Sequence, residues 1–559
     1  GLSGMARPHP WEAAYPPGLD WGASIRTTTL GRVLEESAAA WPDRVALRYR
    51  DTAITYPALL SLARRVAGVL AALPEAQAGV ALLAGNTAFH PAVVFGAAMA
   101  GLRVVMLSPI DAPRTIAHKL RDSGARLLVT VAHEGLLKLA GALAGMGMVG
   151  RLAVGDDAHW GKGPPSAPVP EGALRIEDWL AAPEPAALPA VSPEDVVLLQ
   201  YTGGTTGLPK GAMLTHANLT AAAGAYAAWN GGSGPDGEQR VRRMIGVLPL
   251  FHIYAFTVDL LLTLQGGHEL LIRARFDPDG ALHDIEVLKA TDLCGVPTMW
   301  IALANHPRID TADLSSLRSA SSGGAPLPPE VAARFERLTG KRLGGGWGMT
   351  ETAPAGTAVP GRADLPPRPG SIGVPVPNVE MRIVAMDDPT RALPPGETGE
   401  IAIRGPNVFK GYWNRPEETT RAFVEGGWFL TGDIGRMDTD GYFFLTERKK
   451  DMILSGGFNV YPSVIEAAIH EHPDVLEAAV IGVPDAYRGQ SAKAFVTLRS
   501  GAAPLTLEAL QAFLAERVGR HEMPVALELR EALPRTPVGK LTKLPLIEEE
   551  AAARAAASA

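Results

Sequence analysis

Apolar runs of strand length alternate with longer stretches of helical spacing along most of the chain. Thr55–Leu73 carries its apolar residues at the three-and-four spacing of an amphipathic helix. Gly79–Leu83, Arg103–Leu107, Ala125–Val131 and Val196–Leu199 are short apolar runs bounded by polar or turn-forming residues. That alternation predicts βαβ units and mostly parallel sheets covered by helices on both faces. Phe89–Leu102 is the longest apolar stretch, but His90 and Pro91 interrupt it. It falls short of the ~20 residues of a spanning helix and reads as a buried helix ahead of a core strand. Pro- and Gly-rich segments at Lys162–Gly172, Pro183–Pro193, Gly231–Gly237 and Gly361–Gly370 predict surface loops or linkers. From about Gly441 the texture changes. Tyr442–Leu445 reads as a strand, Arg448–Asp451 is a compact charged cluster, and a smaller α+β unit follows. Its predicted elements are a helix at Ser463–His470 and strands at Ala478–Val483 and Ala494–Leu498. The Ala-rich tail Glu548–Ala559 predicts a frayed helix or disorder.

Composition narrows this picture without changing it. The 559 residues allow several structural units, and 47% hydrophobic with 20% charged residues is a globular balance. The net charge of −7, from 52 Lys+Arg against 59 Asp+Glu, supplies no basic field for nucleic acid. Cys294 is the only cysteine, which excludes an intrachain disulfide and any CxxC-type zinc or redox site. A reducing, cytoplasmic setting is expected, with at most peripheral membrane contact, and Gly1–Trp11 lacks the apolar core of a secretory leader.

The chemistry begins after the strand-like Val196–Leu199, in Tyr201-Thr-Gly-Gly-Thr-Thr-Gly-Leu-Pro-Lys210-Gly211. Gly203, Gly204 and Gly207 let backbone N–H groups turn inward, while Thr202, Thr205 and Thr206 add hydroxyls. Lys210 adds a point charge, so the string can surround a polyphosphate. It fails GxxxxGK[ST], because Pro209 rather than Gly precedes Lys210, and it contains no GxGxxG.

Four further blocks follow in order: Gly346-Trp-Gly-Met-Thr-Glu351-Thr, Trp428-Phe-Leu-Thr-Gly-Asp433-Ile-Gly, Glu447-Arg448-Lys-Lys-Asp451 and Pro537-Val-Gly-Lys540. The ordered set closely resembles the adenylate-forming superfamily of acyl-CoA synthetases, firefly luciferases and peptide-synthetase adenylation domains, over about Thr29–Leu546. Leu248-Pro-Leu-Phe-His252-Ile-Tyr, Ser322-Gly-Gly-Ala-Pro326 and Arg448–Pro462 look most like medium- and long-chain fatty acyl-CoA synthetases. The resemblance implies an α/β fold, with a large N-terminal body over 1–448 and a small mobile α+β C-terminal lid over 449–559. It also implies an ATP-dependent acid–thiol ligase acting through an acyl-adenylate, with ATP, Mg²⁺ and coenzyme A, and a homodimer is common among such enzymes.

Site roles carried by the resemblance attach to matching positions. Glu351, following Thr350, would hold a Mg²⁺ ion together with Thr206. Gly324, Ala325, Pro326, Gly346, Trp347 and Gly348 would border the nucleotide, with the Trp347 ring left uncovered between its glycines to stack on adenine. Most relatives carry Tyr there. Asp433 would accept from both ribose hydroxyls beside Gly432, and Arg448 would offer its planar fork to the same ribose. Lys540 would reach the carboxylate and α-phosphate during adenylation, and Lys450 would be the hinge about which the lid turns between the two steps. Gly456 and Gly457 would leave room for the pantetheine arm of CoA. His252, Phe256 and Gly323 would border the acyl group, with the apolar helix Thr257–Leu264 as a wall or as ordinary core. No Asp sits in Phe251–Phe256 to pair a substrate ammonium, which favours a plain acid, although Asp259 lies one turn on. Delivery to a carrier protein, or activation of a dicarboxylic or aromatic acid, are the alternatives.

Overall fold

The protein is described by a computed structural model covering residues 8–202, 209–231, 240–323, 327–455, 458–535 and 541–558. The chain divides into two compact units. One comprises Gly1–Met381, Ile403–Phe423 and Asp440–Tyr442; the other comprises Arg382–Ala402, Val424–Thr439 and Phe443–Ala559.

Two sheets form most of the first unit. In one, seven strands run in the order Leu174–Arg175, Arg151–Gly155, Leu127–Val131, Val80–Leu83, Val104–Met106, Val196–Tyr201, Gly211–Thr215. All neighbours in it are parallel except the last pair, a hairpin. The other places Ser319–Ser322, Asp292–Gly295, Arg243–Gly246, Glu269–Ile272, Val45–Tyr49 and Thr52–Thr55 side by side, again parallel but for the last pair. Strands buried on both faces lose their alternation, which is why the central runs are continuously apolar. Helix Tyr56–Ala72 begins where the Thr55 hydroxyl accepts from the Ala58 N–H, one residue inside the predicted stretch. Every residue of helix Phe89–Met99 is buried. The helix packs against Tyr56–Ala72 at Gly96, where an added Cβ would lie 2.5 Å from Val66 Cγ1. Among the described residues no helix is long and apolar enough to cross a membrane.

In the second unit, Trp428–Met437 pairs antiparallel with Phe443–Arg448. A further sheet pairs Val475–Asp485, Gly489–Leu498 and Ile453–Ser455 antiparallel, with Ala526–Leu529 joining Gly489–Leu498 in parallel. Helices Pro462–His470 and Leu507–Leu514 cover it through Ile465, Ile469, Leu510 and Leu514.

Two expectations change here. The tail is a regular helix, Leu544–Ala557, held by the buried Leu546 and by Lys493–Glu550 and Arg530–Glu549 ion pairs. The predicted apolar helix Thr257–Leu264 is a π-helix over Ala255–Leu261 that becomes α-helical only at Leu262–Gln265. Such widened turns are inserted at particular sites and leave no mark on simple apolar spacing.

Candidate active site

The candidate phosphate loop closes the hairpin between Val196–Tyr201 and Gly211–Thr215, and its feet are described. The Thr202 N–H donates to the Lys210 carbonyl at 2.9 Å, so the two ends of the loop are pinned together. Gly203, Gly204, Thr205, Thr206 and Gly207 lie outside the described residues, as do Gly324, Ala325, Pro326, Gly456, Gly457 and Lys540.

Lys210 sits in a connected polar network. Its ammonium lies 3.0 Å from the Glu418 carboxylate and 4.2 Å from the centre of the Tyr412 ring. The Tyr412 hydroxyl in turn donates to Glu351 Oε2 at 2.8 Å. Both Glu351 and Tyr412 are 7% exposed. Burial, together with the neighbouring Glu351 charge, drives the Tyr412 phenol far above its ordinary pKa, so it stays a proton donor. The short segment Phe409–Trp413 places this tyrosine. Its backbone is tied to strand Gly211–Thr215 at Lys410, Gly411 and Trp413, and the Phe409 N–H donates to the Glu351 carbonyl. Asn407 fixes the other side by donating to the Thr352 and Ala355 carbonyls.

Thr350 and Glu351 form a single 3₁₀ turn, Thr350–Thr352. One buried hard oxygen donor beside a phosphate loop suits Mg²⁺, which usually takes only one or two protein carboxylates and completes its shell with phosphate oxygens and water. Among the described residues no cluster of three or more His, Cys, Asp or Glu forms a self-sufficient metal cage.

The glycines around Trp347 have a different purpose from the one expected. A Cβ on Gly346 would lie 2.2 Å from the Thr357 carbonyl oxygen, and one on Gly348 would lie 1.6 Å from that of Pro354. They permit two backbone segments to touch rather than baring the indole. The Trp347 ring itself lies against Gly356, whose absent side chain makes its room. The Trp347 N–H donates to Thr357 Oγ1, and the ring remains partly exposed.

Near the expected acyl region, His252 is exposed and its Nδ1 accepts from the Tyr254 N–H at 3.2 Å. That bond assigns the neutral ring's proton to Nε2. Gln200, just before the loop, donates to the Phe251 carbonyl, and Asn86 clasps Gly246–Leu250 through three backbone bonds. The strand feeding the phosphate loop and the turn carrying His252 are thereby joined. Phe256 is almost fully buried, one turn along. The Gly323 N–H donates to the Gly295 carbonyl, and among the described residues nothing lies within 4 Å of where its Cβ would stand. Thr257 Oγ1 donates to the Ala353 carbonyl at 2.7 Å, tying the π-helix to the Glu351 turn.

Asp259 is 0% exposed, and among the described residues its oxygens find no nitrogen or oxygen donor, with only the Cys294 thiol as a weak partner. Burial, reinforced by Asp292, holds its carboxyl well above the usual range, so it rests as the neutral acid. Cys294 nearby is pushed up to about 12 by the same burial and by Asp259, leaving an unreactive thiol.

The second unit carries Asp433, Arg448 and Lys450. Asp433 and Arg448 are directly paired positions of neighbouring antiparallel strands. Gly432 precedes Asp433 at φ +76°, with nothing near its absent Cβ, so conformation rather than close approach demands glycine. Glu400, 4% exposed, accepts from the Gly432 N–H and from Lys449 Nζ, each at 3.0 Å. Lys450 is exposed in the short turn Lys449–Asp451.

Sequence reasoning missed Tyr412, Glu418, Gln200, Asn86 and Glu400. A signal existed for Tyr412 alone, because Phe409-Lys-Gly-Tyr-Trp413 follows Gly405-Pro-Asn, and aromatic residues crowded into a loop demand a purpose.

Comparison with known proteins agrees with this arrangement. The model of the AMP-binding enzyme family matches residues 34–413, and that of the AMP-binding enzyme C-terminal domain matches 464–540. A long-chain-fatty-acid–CoA ligase of Bacillus subtilis is 35% identical over 98% of this chain and 99% of its own. A feruloyl-CoA synthase of Amycolatopsis is 38% identical over 93% and 98%. Among solved structures, ATP-bound MatB from Rhodopseudomonas palustris superposes with a TM-score of 0.77 at 29% identity, over 92% of this chain and 98% of that one. A glycine-threonine hairpin loop, a buried glutamate joined to its lysine foot, and matches running nearly end to end place this chain in the AMP-binding, adenylate-forming enzyme family.

Proposed function

We propose that the protein is an ATP-dependent fatty acid–CoA ligase that forms acyl-CoA, AMP and pyrophosphate through an acyl-adenylate. The observation that supports it most is the network Lys210–Tyr412–Glu351, which joins the foot of the phosphate loop to a buried carboxylate.

A carboxylate is a poor electrophile, because its charge repels nucleophiles and oxide cannot leave. In the first step a carboxylate oxygen attacks the α-phosphorus, the bond to the bridging oxygen breaks, and pyrophosphate departs. Catalysis of such a step is mostly positioning and charge neutralisation. Lys210 and the loop residues Thr202–Gly207 hold the phosphates, and Asp433 and Arg448 bind the ribose. Trp347 packs on the adenine, with Gly346, Gly348 and Gly324–Pro326 bordering the nucleotide. Lys540 stabilises the charge that develops between carboxylate and α-phosphate. Mg²⁺ held by Glu351, with Thr206, would neutralise phosphate charge when bound. In the second step the CoA thiolate, threading past Gly456 and Gly457, attacks the acyl carbon and AMP leaves. The lid over 449–559 turns about Lys450 between the steps and withdraws Lys540. His252, through its Nε2–H, orients the acid, and Phe256 and Gly323 border its chain.

An aromatic acid is the second reading. The neutral Asp259 within the expected acyl wall favours it, as does the likeness to a feruloyl-CoA synthase. The test supplies purified protein and ATP with fatty acids of increasing length, a dicarboxylate and a hydroxycinnamate, each with and without CoA. Pyrophosphate release and thioester formation are followed. Thioester that requires CoA and grows with alkyl length is expected. Preference for the hydroxycinnamate would move the assignment to the aromatic reading, and adenylate that never becomes thioester would reject a CoA ligase.

A further inference from the structure

We propose that Tyr412 is a positioning residue that couples the phosphate-binding lysine to the metal-binding glutamate, its ring serving Lys210 and its hydroxyl serving Glu351. The inference rests on the nucleotide reading of those two residues.

The two ends of this side chain offer different chemistry. The ring face lies under the Lys210 ammonium at 4.2 Å, which orients a flexible cation without neutralising it. The hydroxyl donates to Glu351 Oε2 at 2.8 Å, which fixes the rotation of the carboxylate. Neither end can drift, because the backbone holds the residue three ways. The Tyr412 N–H donates to Thr419 Oγ1, Ala212 pairs with Tyr412 across an isolated bridge, and Gly411 adopts φ +131°. A Cβ on Gly411 would lie 2.4 Å from Thr419 Cγ2, so the approach that sets Tyr412 requires glycine.

Glu418 completes the arrangement. It neutralises Lys210 at 3.0 Å, although both side chains are about a third exposed, so the pair is weak and easily exchanged for a phosphate. The tyrosine ring therefore keeps the ammonium beside the loop foot when its carboxylate partner changes. Second-layer donors of this kind set the orientation of metal-binding carboxylates elsewhere.

Two variants separate the two ends. Tyr412→Phe keeps the ring and loses the hydroxyl; Tyr412→Leu loses both. Binding of metal-free ATP, measured by calorimetry in EDTA, reads the lysine end without any metal. The Mg²⁺ concentration giving half-maximal pyrophosphate release reads the glutamate end. For Tyr412→Phe, metal-free ATP affinity within about twofold of wild type is expected, with the Mg²⁺ requirement raised about tenfold, the lower end of what one hydrogen bond to a charged group contributes. For Tyr412→Leu, metal-free ATP should also bind about three- to fivefold more weakly, and Lys210→Met should cost less in that background than in the wild type. Thermal unfolding of each variant checks that the chain is folded, and the Phe variant carries the test if the Leu variant is not. Wild-type Mg²⁺ dependence in Tyr412→Phe, or equal metal-free ATP binding in the Phe and Leu variants, would overturn the coupling while leaving the ligase reading intact. Wild-type protein that binds no ATP would overturn both.

Discussion

The two units hold their candidate site residues by opposite means. In the first, Lys210, Glu351 and Tyr412 come from segments far apart in the chain, and each is fixed by partners from the others. In the second, Gly432, Asp433, Arg448 and Lys449 belong to neighbouring strands and the turn that follows them, and one buried carboxylate, Glu400, serves both Gly432 and Lys449. A dispersed network resists displacement, because moving one member disturbs several segments at once. A local clamp can keep its own shape while whatever follows it rotates. The first suits a site for holding phosphate and the second suits the base of a hinge.

The sharpest way to break that contrast is at the lysine assigned to the lid. Lys540→Ala should lower adenylation by roughly 10²–10³-fold, the scale of losing one transition-state charge stabiliser, while thioester formation from supplied acyl-adenylate changes only a few-fold. Lys450→Pro should show the reverse asymmetry, because it restricts the torsions a hinge must change. Equal losses in both half-reactions, from either variant, would remove the hinge from the account. Glu400 gives a smaller effect. Glu400→Gln keeps an acceptor for the Gly432 N–H but removes the negative partner of the half-exposed Lys449. A cost of about 1 kcal/mol in unfolding free energy is expected, with ATP KM raised a few-fold. Urea denaturation together with ATP saturation curves would check both.

Asp259 tests the static side. Its folded-state pKa lies above the unfolded value, so between the two the folded protein binds more protons than the unfolded chain. Its contribution is therefore full below the ordinary carboxylate pKa and is lost as pH rises, by at most about 1.4 kcal/mol per pH unit. Asp259→Asn should flatten that slope, and an unchanged stability–pH profile would contradict a buried neutral acid.

What sequence alone disclosed divides along the same line. Parallel sheets, the buried helix at Phe89–Met99 and the start of Tyr56–Ala72 were legible, because apolar spacing and a threonine cap are local signals. The strand ahead of Thr202 was legible for the same reason, whereas its hairpin partner Gly211–Thr215 was not. The bond of Tyr412 to Glu351 was not legible either, because it spans 61 positions and no periodicity carries information over that distance. The glycines at Gly346 and Gly348 were read from their neighbour Trp347, whereas their reason lies in Thr357 and Pro354, visible only once the segments fold together. The π-helix escaped because its side chains are as apolar as those of an ordinary buried helix. Glu400 carries no signal in the sequence, and only its burial and its two partners reveal it as a clamp.

The central claim is that a carboxylate oxygen attacks the α-phosphorus of ATP and is later released with AMP. Acid labelled with ¹⁸O in its carboxyl group, turned over once with ATP and CoA, tests this directly by mass spectrometry of the products. One labelled oxygen in AMP and none in pyrophosphate is the expected result. Label in pyrophosphate, or unlabelled AMP alongside labelled thioester formed at full yield, would contradict it.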